Sequence, residues 1–281
     1  MATSRRVKGI AFDMYGTLVD VGAVAEACTE IAPDPIAFNA HWRAKQLEYT
    51  FLRSLMGTYQ DFWKVSEQAL EFTIRRFGLH VSPEHRRRLM EAWLHPKPYP
   101  EVAAALSRLK ERCALAVLSN GSPKMLRAGL QHTALTPCFR WVISADAIRL
   151  YKPSPRVYQL AVTKMKLRKE EILLVSSNSF DVVGAKSFGF KVCWINRTGA
   201  PLDRLGVKPD LLVKSFDELA AAIPNARLLT VPGANHYTIL FALNPHALAE
   251  VQGEIGGLRA PGCEDQGGPG EGRVSDRSMV T

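Results

Sequence analysis

Several apolar runs in this chain each stop at a group that could do chemistry. "GIAFDMYGTLVD", residues 9–20, delivers Asp13, then Tyr15 and Thr17. "CALAVLSNG" delivers Ser119 and Asn120, and "ILLVSSN" delivers Ser176, Asn178 and, just beyond, Asp181. "KPSPRVYQLAVTKM" brings Lys152. A carboxylate held at the end of a strand can act as a nucleophile that forms a covalent intermediate. It must stay ionised, and a neighbouring ammonium favours the charged form. Asp13 and Lys152 are candidates for such a pair. A plain turn-capping role for Asp13 at Gly16 would leave Lys152 and the serines unexplained.

The elements around these residues place them together. Gly9 to Phe12 predicts a short buried strand. Leu47, Phe51 and Leu55 recur every four residues, which predicts a helix stopped by Gly57. Phe62, Val65, Ala69 and Phe72 mark a second helix ending near Gly78, and Ser82-Pro83 opens a third. "HPKPYPE" is a proline-rich return. From Val102 short apolar runs alternate with helical patterns, the signature of βαβ units on a parallel sheet. The expected fold is α/β, a doubly wound parallel-sheet core with an inserted all-helical cap. The expected organisation is a core from 1–20 and 98–223, a cap at 21–97, a separate segment at 224–252, and a Gly-rich, disordered tail at 253–281. Ligands of an open parallel sheet bind beyond the carboxyl ends of its strands. That edge is where Asp13, Ser119, Asn120, Lys152 and Asp181 would meet.

Bulk composition narrows the function classes. Of 281 residues, 47% are hydrophobic and 22% charged, as in a globular protein. No apolar run approaches the roughly 18 residues of a membrane span, and the apolar part that follows the basic start is too short for a signal peptide and meets Asp13. A cytoplasmic protein with no membrane partner is expected. Five scattered cysteines fit neither a disulfide framework nor a zinc site; Cys113 and Cys193 are expected to fill the core. The net charge of +9 suits an anionic small substrate. The run Arg86 to Arg88 reads as a solvated helix face, and no nucleic-acid motif accompanies it.

In order, "FDMYGTL", "LSNGSP", "KPSPRVY" and "LLVSSNSFDVVGAKSFGF" resemble the four motifs of the haloacid dehalogenase superfamily. The segment "HWRAKQLEYTFLRSLMGTYQDFW" and "GFKVCWINR" resemble the type II L-2-haloacid dehalogenases, and the resemblance spans residues 7 to about 223. Superfamily members that transfer phosphoryl groups resemble D-x-D in the first motif and G-D-x-x-x-D in the fourth. Here Tyr15 replaces the acid that would protonate a leaving oxygen, and Ser176-Ser177 stands where Gly-Asp would help hold Mg²⁺. A departing halide needs no proton, and a small monoanionic substrate needs no dication. The resemblance therefore implies displacement of halide from (S)-2-haloalkanoates with no metal and no cofactor. A Mg²⁺-dependent phosphatase of the same fold, and an idle fold that binds partners, are the alternatives.

The roles that the resemblance implies are these. Asp13 attacks C2 and forms an ester that water then hydrolyses. Lys152 keeps Asp13 ionised, with Thr17 and Tyr158 supporting Asp13 and Lys152. Arg43, on the cap helix, accepts the halide, with Asn120 and Phe180 lining its pocket; many relatives have Trp where Phe180 stands. Ser119 holds the substrate carboxylate. Asp181, oriented by Ser176 and Asn178, activates water. Tyr15, Leu47 and Phe62 form the apolar wall. Members are often homodimers, which the resemblance carries over as an expectation. Finally, "VPGANHYTILF" resembles the end of an α/β-hydrolase, with His236 as its loop histidine. The chain has no G-x-S-x-G elbow to complete a triad, so no activity is expected of His236.

Overall fold

The protein is described by a computed structural model over residues 7–223. The expectations for 224–281, His236 among them, lie outside the described residues.

The chain enters through β1 (Gly9–Phe12), all four residues of which are buried. After a loop it forms β2 (Val19–Asp20) and then a helical insert of α1 (Ala25–Cys28), α2 (Pro35–Met56), α3 (Phe62–Arg76) and α4 (Pro83–Ala92). It returns through β3 (Lys97–Pro98), which pairs antiparallel with β2. The rest alternates helix and strand up to β7 and then adds one more strand and helix: α5 (Val102–Lys110), β4 (Ala114–Ser119), α6 (Pro123–His132), β5 (Trp141–Ser144), α7 (Pro155–Met165), β6 (Ile172–Ser176), α8 (Ser179–Phe188), β7 (Lys191–Ile195), β8 (Leu211–Val213) and α9 (Phe216–Ala222).

The six long-range strands lie in the order β5-β4-β1-β6-β7-β8 and every pairing is parallel. From β1 the sheet grows in both directions, which is the doubly wound arrangement with its switch point at β1. The runs "ALAVLS" and "ILLVS" are buried almost throughout, because a parallel sheet is covered on both faces. The β2–β3 ribbon was not foreseen. Two residues on each side carry no periodicity, and the pair forms only because the chain must leave and re-enter the core at one place.

Helix ends follow their sequence signals. The Asp34 carboxylate accepts the Ala37 N–H ahead of Pro35, and Gly57 takes the left-handed conformation that closes α2. Asp61 caps α3, and Ser82 caps α4 ahead of Pro83. The buried stripe of α2 differs from the expected one. It runs through Phe38, Trp42, Gln46 and Thr50, while Leu55 is 84% exposed. The contact with α3 is partly polar: the Trp42 indole N–H donates to the Ser66 carbonyl, and the Gln46 amide donates to Ser66 Oγ, both at 2.9 Å. Hydropathy cannot read such an interlock. Leu47 and Phe51, on an adjoining face, are left toward the sheet edge.

The basic run behaves as a solvated face. Arg86 pairs with Glu71, Arg87 with Glu84 and Glu91, and Arg88 with Glu30. Cys28, Cys113 and Cys193 are buried, and Cys138 is half-buried. No helix among the described residues is long and apolar enough to cross a membrane.

Candidate active site

β1, β4 and β6 are the three central strands, so their carboxyl ends open onto one spot. Asp13 follows β1 and is 6% exposed. Its Oδ1 accepts from Lys152 Nζ at 3.2 Å. Its Oδ2 accepts from Asn178 Nδ2 at 2.7 Å and from the Thr17 hydroxyl at 3.3 Å. Lys152 is 1% exposed and donates also to Asp181 Oδ2 at 2.8 Å. The Tyr158 hydroxyl donates to Asp181 Oδ1 at 2.9 Å. One buried ammonium thus lies between two buried carboxylates.

Electrostatics follow from that arrangement. Burial alone would push Lys152 down, but the charges of Asp13 and Asp181 outweigh it and hold the ammonium above its ordinary range. Burial pushes Asp181 up, Lys152 opposes the rise, and the Asp13 charge adds to it. Tyr15 is pushed well up, chiefly by burial; Arg43 opposes that and Asp13 adds to it. The Tyr15 phenol therefore stays neutral, and it donates to the Trp93 carbonyl at 3.3 Å.

Eleven residues enclose a cavity of about 10 Å³: Asp13, Tyr15, Arg43, Leu47, Phe62, Ser119, Asn120, Gly121, Lys152, Asn178 and Phe180. That is room for about one water. Ten of the eleven were expected from the sequence; Gly121 was not. A Cβ on Gly121 would lie 2.9 Å from both Leu126 Cδ2 and the Tyr15 ring, so only glycine lets the backbone approach there. Leu126, Trp93 and Gln46 also shape the site from behind. Arg43 donates to Gln46 Oε1 at 3.4 Å, and its guanidinium carbon lies 5.7 Å from the centroid of a Trp93 ring. Phe180 meets Phe51 edge to face at 5.3 Å.

Thr17, Tyr158, Ser176 and Asp181 do not line the cavity; they stand behind Asp13 and Lys152. Thr17 reaches Asp13 through its hydroxyl. The Asn178 side chain bonds Asp13 Oδ2 and the Tyr15 carbonyl, and Asn178 meets Asp181 through its backbone carbonyl, which accepts the Asp181 N–H at 3.0 Å; the Tyr158 hydroxyl bonds Asp181 rather than Lys152. The Ser176 hydroxyl accepts the Asn178 backbone N–H at 3.1 Å. The Ser119 hydroxyl accepts the Gly121 N–H at 3.3 Å. Asn120 Oδ1 accepts the Lys152 backbone N–H at 2.9 Å, which fixes its amide and leaves the Nδ2 donors for the cavity.

The geometry also tests the site against a hard dication. Such an ion takes carboxylate and carbonyl oxygens. Asp13 Oδ2 and the Tyr15 carbonyl are both already bonded to Asn178 Nδ2, and Lys152 Nζ fills the gap between Asp13 and Asp181. Among the described residues no three His, Cys, Asp or Glu side chains cluster to hold a metal ion. These donors do not fit Mg²⁺.

The sequence family model for haloacid dehalogenase-like hydrolases matches residues 7–189. The chain belongs to this family. The (S)-2-haloacid dehalogenase of Pseudomonas sp. strain YL is 46% identical over 212 residues, 75% of this chain and 91% of that protein. The (S)-2-haloacid dehalogenase of Pseudomonas putida is 42% identical over 224 residues, 79% of this chain and 99% of that protein. Among solved structures, the L-2-haloacid dehalogenase from Xanthobacter autotrophicus with chloropropionic acid covalently bound superposes with a TM-score of 0.73 at 36% identity, covering 78% of this chain and 98% of that one. The expected fold class and family both hold.

Proposed function

We propose that this haloacid dehalogenase-like hydrolase converts (S)-2-haloalkanoic acids to (R)-2-hydroxy acids and halide through an ester of Asp13. One observation carries the reading: a buried carboxylate, paired with Lys152 at 3.2 Å, faces a cavity in which position 15 offers a neutral phenol instead of a second acid. The names of the relatives at 46% and 42% identity support the substrate class and its configuration. Haloacetate dehalogenase H-2 of Moraxella sp., 42% identical over 221 residues, supports extending the range to haloacetates.

The steps follow from the atoms at hand. Asp13 Oδ2 already accepts two hydrogen bonds, whereas Oδ1 accepts only that of Lys152. Oδ1 keeps a lone pair and is the attacking oxygen. It bonds to C2 in line with the carbon–halogen bond, whose electron pair departs with the halide, and C2 inverts. Arg43 and Asn120 Nδ2 donate to the departing anion beside Phe180, since a guanidinium is a fitting partner for developing negative charge. Ser119 and the backbone near Gly121 hold the substrate carboxylate. Tyr15, Leu47 and Phe62 wall the alkyl group.

Water then attacks the Asp13 carbonyl carbon. Asp181, whose raised pKa makes it a better base than an ordinary carboxylate, takes the proton. The Asp13–oxygen bond to the substrate breaks, so the hydroxyl oxygen of the product is the former Oδ1. Lys152 stabilises the oxyanion formed on the way, and Tyr158 holds Asp181 in place.

The test is chloride release from each enantiomer of 2-chloropropanoate, with and without EDTA. Release from the (S) form alone, unaffected by EDTA and matched by (R)-lactate, is expected. Mg²⁺-dependent hydrolysis of p-nitrophenyl phosphate without chloride release would overturn the reading.

A further inference from the structure

Arg197 follows β7 at the same edge of the sheet, yet it does not line the cavity. Its guanidinium makes four hydrogen bonds to three chain segments. Nη2 donates to the Thr17 carbonyl at 3.2 Å, and Nη1 donates to Ser177 Oγ at 3.2 Å. Nε and Nη2 donate to Glu101 Oε1 at 3.2 and 2.9 Å. The guanidinium carbon lies 3.7 Å from the centroid of the Tyr99 ring, a stacking that holds its plane. Arg197 and Glu101 are 18% and 19% exposed, so the group is mostly shielded from water.

Thr17 and Ser177 are joined by a bond of their own. The Ser177 backbone N–H donates to Thr17 Oγ1 at 2.9 Å, and Thr17 Oγ1 donates to Asp13 Oδ2. Arg197 therefore holds both the residue that gives this bond and the residue that receives it. An arginine present only to balance Glu101 would have no reason to spend half its bonds on these two loops. A lysine could not take its place, because one ammonium cannot present a planar set of donors in three directions. Tyr99 and Glu101 follow β3, so the same cluster ties the chain's return from the helical insert to the loop carrying the nucleophile.

We propose that Arg197 is a positioning residue for Asp13: through Thr17 and Ser177 it fixes the Oδ2 side of the carboxylate and so aims Oδ1 at the substrate carbon. The inference rests on the dehalogenation reading above. It acts on the orientation of the attacking group and leaves the substrate contacts alone.

The experiment measures chloride release from (S)-2-chloropropanoate by wild type, Arg197→Lys, Arg197→Met, Thr17→Val and the double variant Thr17→Val/Arg197→Met, with melting temperatures alongside. Misplacing a reacting group by about 1 Å costs on the order of 100-fold. Arg197→Lys and Arg197→Met should each lower kcat about 10- to 100-fold with KM within about twofold. In the Thr17→Val background, Arg197→Met should add less than about twofold, since the path it acts through is already cut. Arg197→Lys keeps a cation for Glu101 and keeps the test open if Arg197→Met fails to fold. Wild-type kcat in Arg197→Lys, a rise in KM without loss of kcat, or a full additional loss in the Thr17→Val background would overturn the inference. If wild type itself releases no chloride, the parent reading fails and the inference with it. Release by wild type with an unaffected Arg197→Lys sinks the inference alone.

Discussion

Replacing Lys152 by methionine removes a charge that two buried carboxylates share. At 3.2 and 2.8 Å from Asp13 and Asp181, the two attractions are each about 5–6 kcal/mol at an effective dielectric of about 20. Most of that gross energy is spent on taking the ammonium out of water. The net effect of leaving buried charges without their partner is about 3–5 kcal/mol, or roughly 6–20 °C in melting temperature for a domain of this size. Without the ammonium between them the two carboxylates repel each other, which pushes the Asp181 carboxyl further up. A nucleophile without its cation also loses stabilisation in the transition state, about 100- to 1000-fold in rate. Halide release at fixed substrate and a thermal melt measure the two effects. Adding Asp181→Asn to Lys152→Met removes one of the repelling carboxylates, so it should restore part of the stability and none of the activity. Lys152→Met with turnover within about tenfold of wild type would refute this electrostatic reasoning, and so would a double variant no more stable than the single one.

Two further outcomes follow from the same site. Tyr15→Phe removes a hydroxyl that only donates to the Trp93 carbonyl; a hydrogen bond is worth about 0.5–1.5 kcal/mol net, so stability should fall by that order while halide release stays within about threefold, as measured by initial rates. Asp181 has a folded-state pKa above its ordinary 3.8, so as pH falls through that raised value the folded protein gains a proton before the unfolded chain does. Its contribution to stability therefore rises toward pH 3.8 while ester hydrolysis fails, and the stability difference between wild type and Asp181→Asn, followed by melts across that window, should move opposite to the rate.

Much of this was legible in the sequence, for identifiable reasons. The strands were readable because a sheet buried on both faces needs uninterrupted apolar runs, as in "ILLVS". Asp13, Tyr15, Ser119, Asn120, Lys152 and Asn178 were reachable because strand ends and the loop before α7 deliver them, whereas Arg43, Leu47, Phe62 and Phe180 came only from the family resemblance. The inner face of α2 was not reachable, since Trp42 and Gln46 reach Ser66 through polar atoms that a hydropathy pattern counts against burial. The partners of Asn178 and Tyr158 depended on side-chain direction, which spacing does not carry. Arg197 had a signal that went unused. Collecting what each strand leaves at its carboxyl end delivers Asp13, Ser119 and Ser176, and applied to β7 it delivers Asn196 and Arg197 as well.

The central claim is that Asp13 attacks carbon and that water then attacks Asp13. A single turnover in ¹⁸O-labelled water, with enzyme in excess over (S)-2-chloropropanoate, tests it at the atom concerned. The account predicts label in the peptide that contains Asp13 and unlabelled hydroxyl oxygen in the lactate. Labelled lactate with an unlabelled Asp13 peptide would mean that water attacks the substrate directly, and would contradict the account.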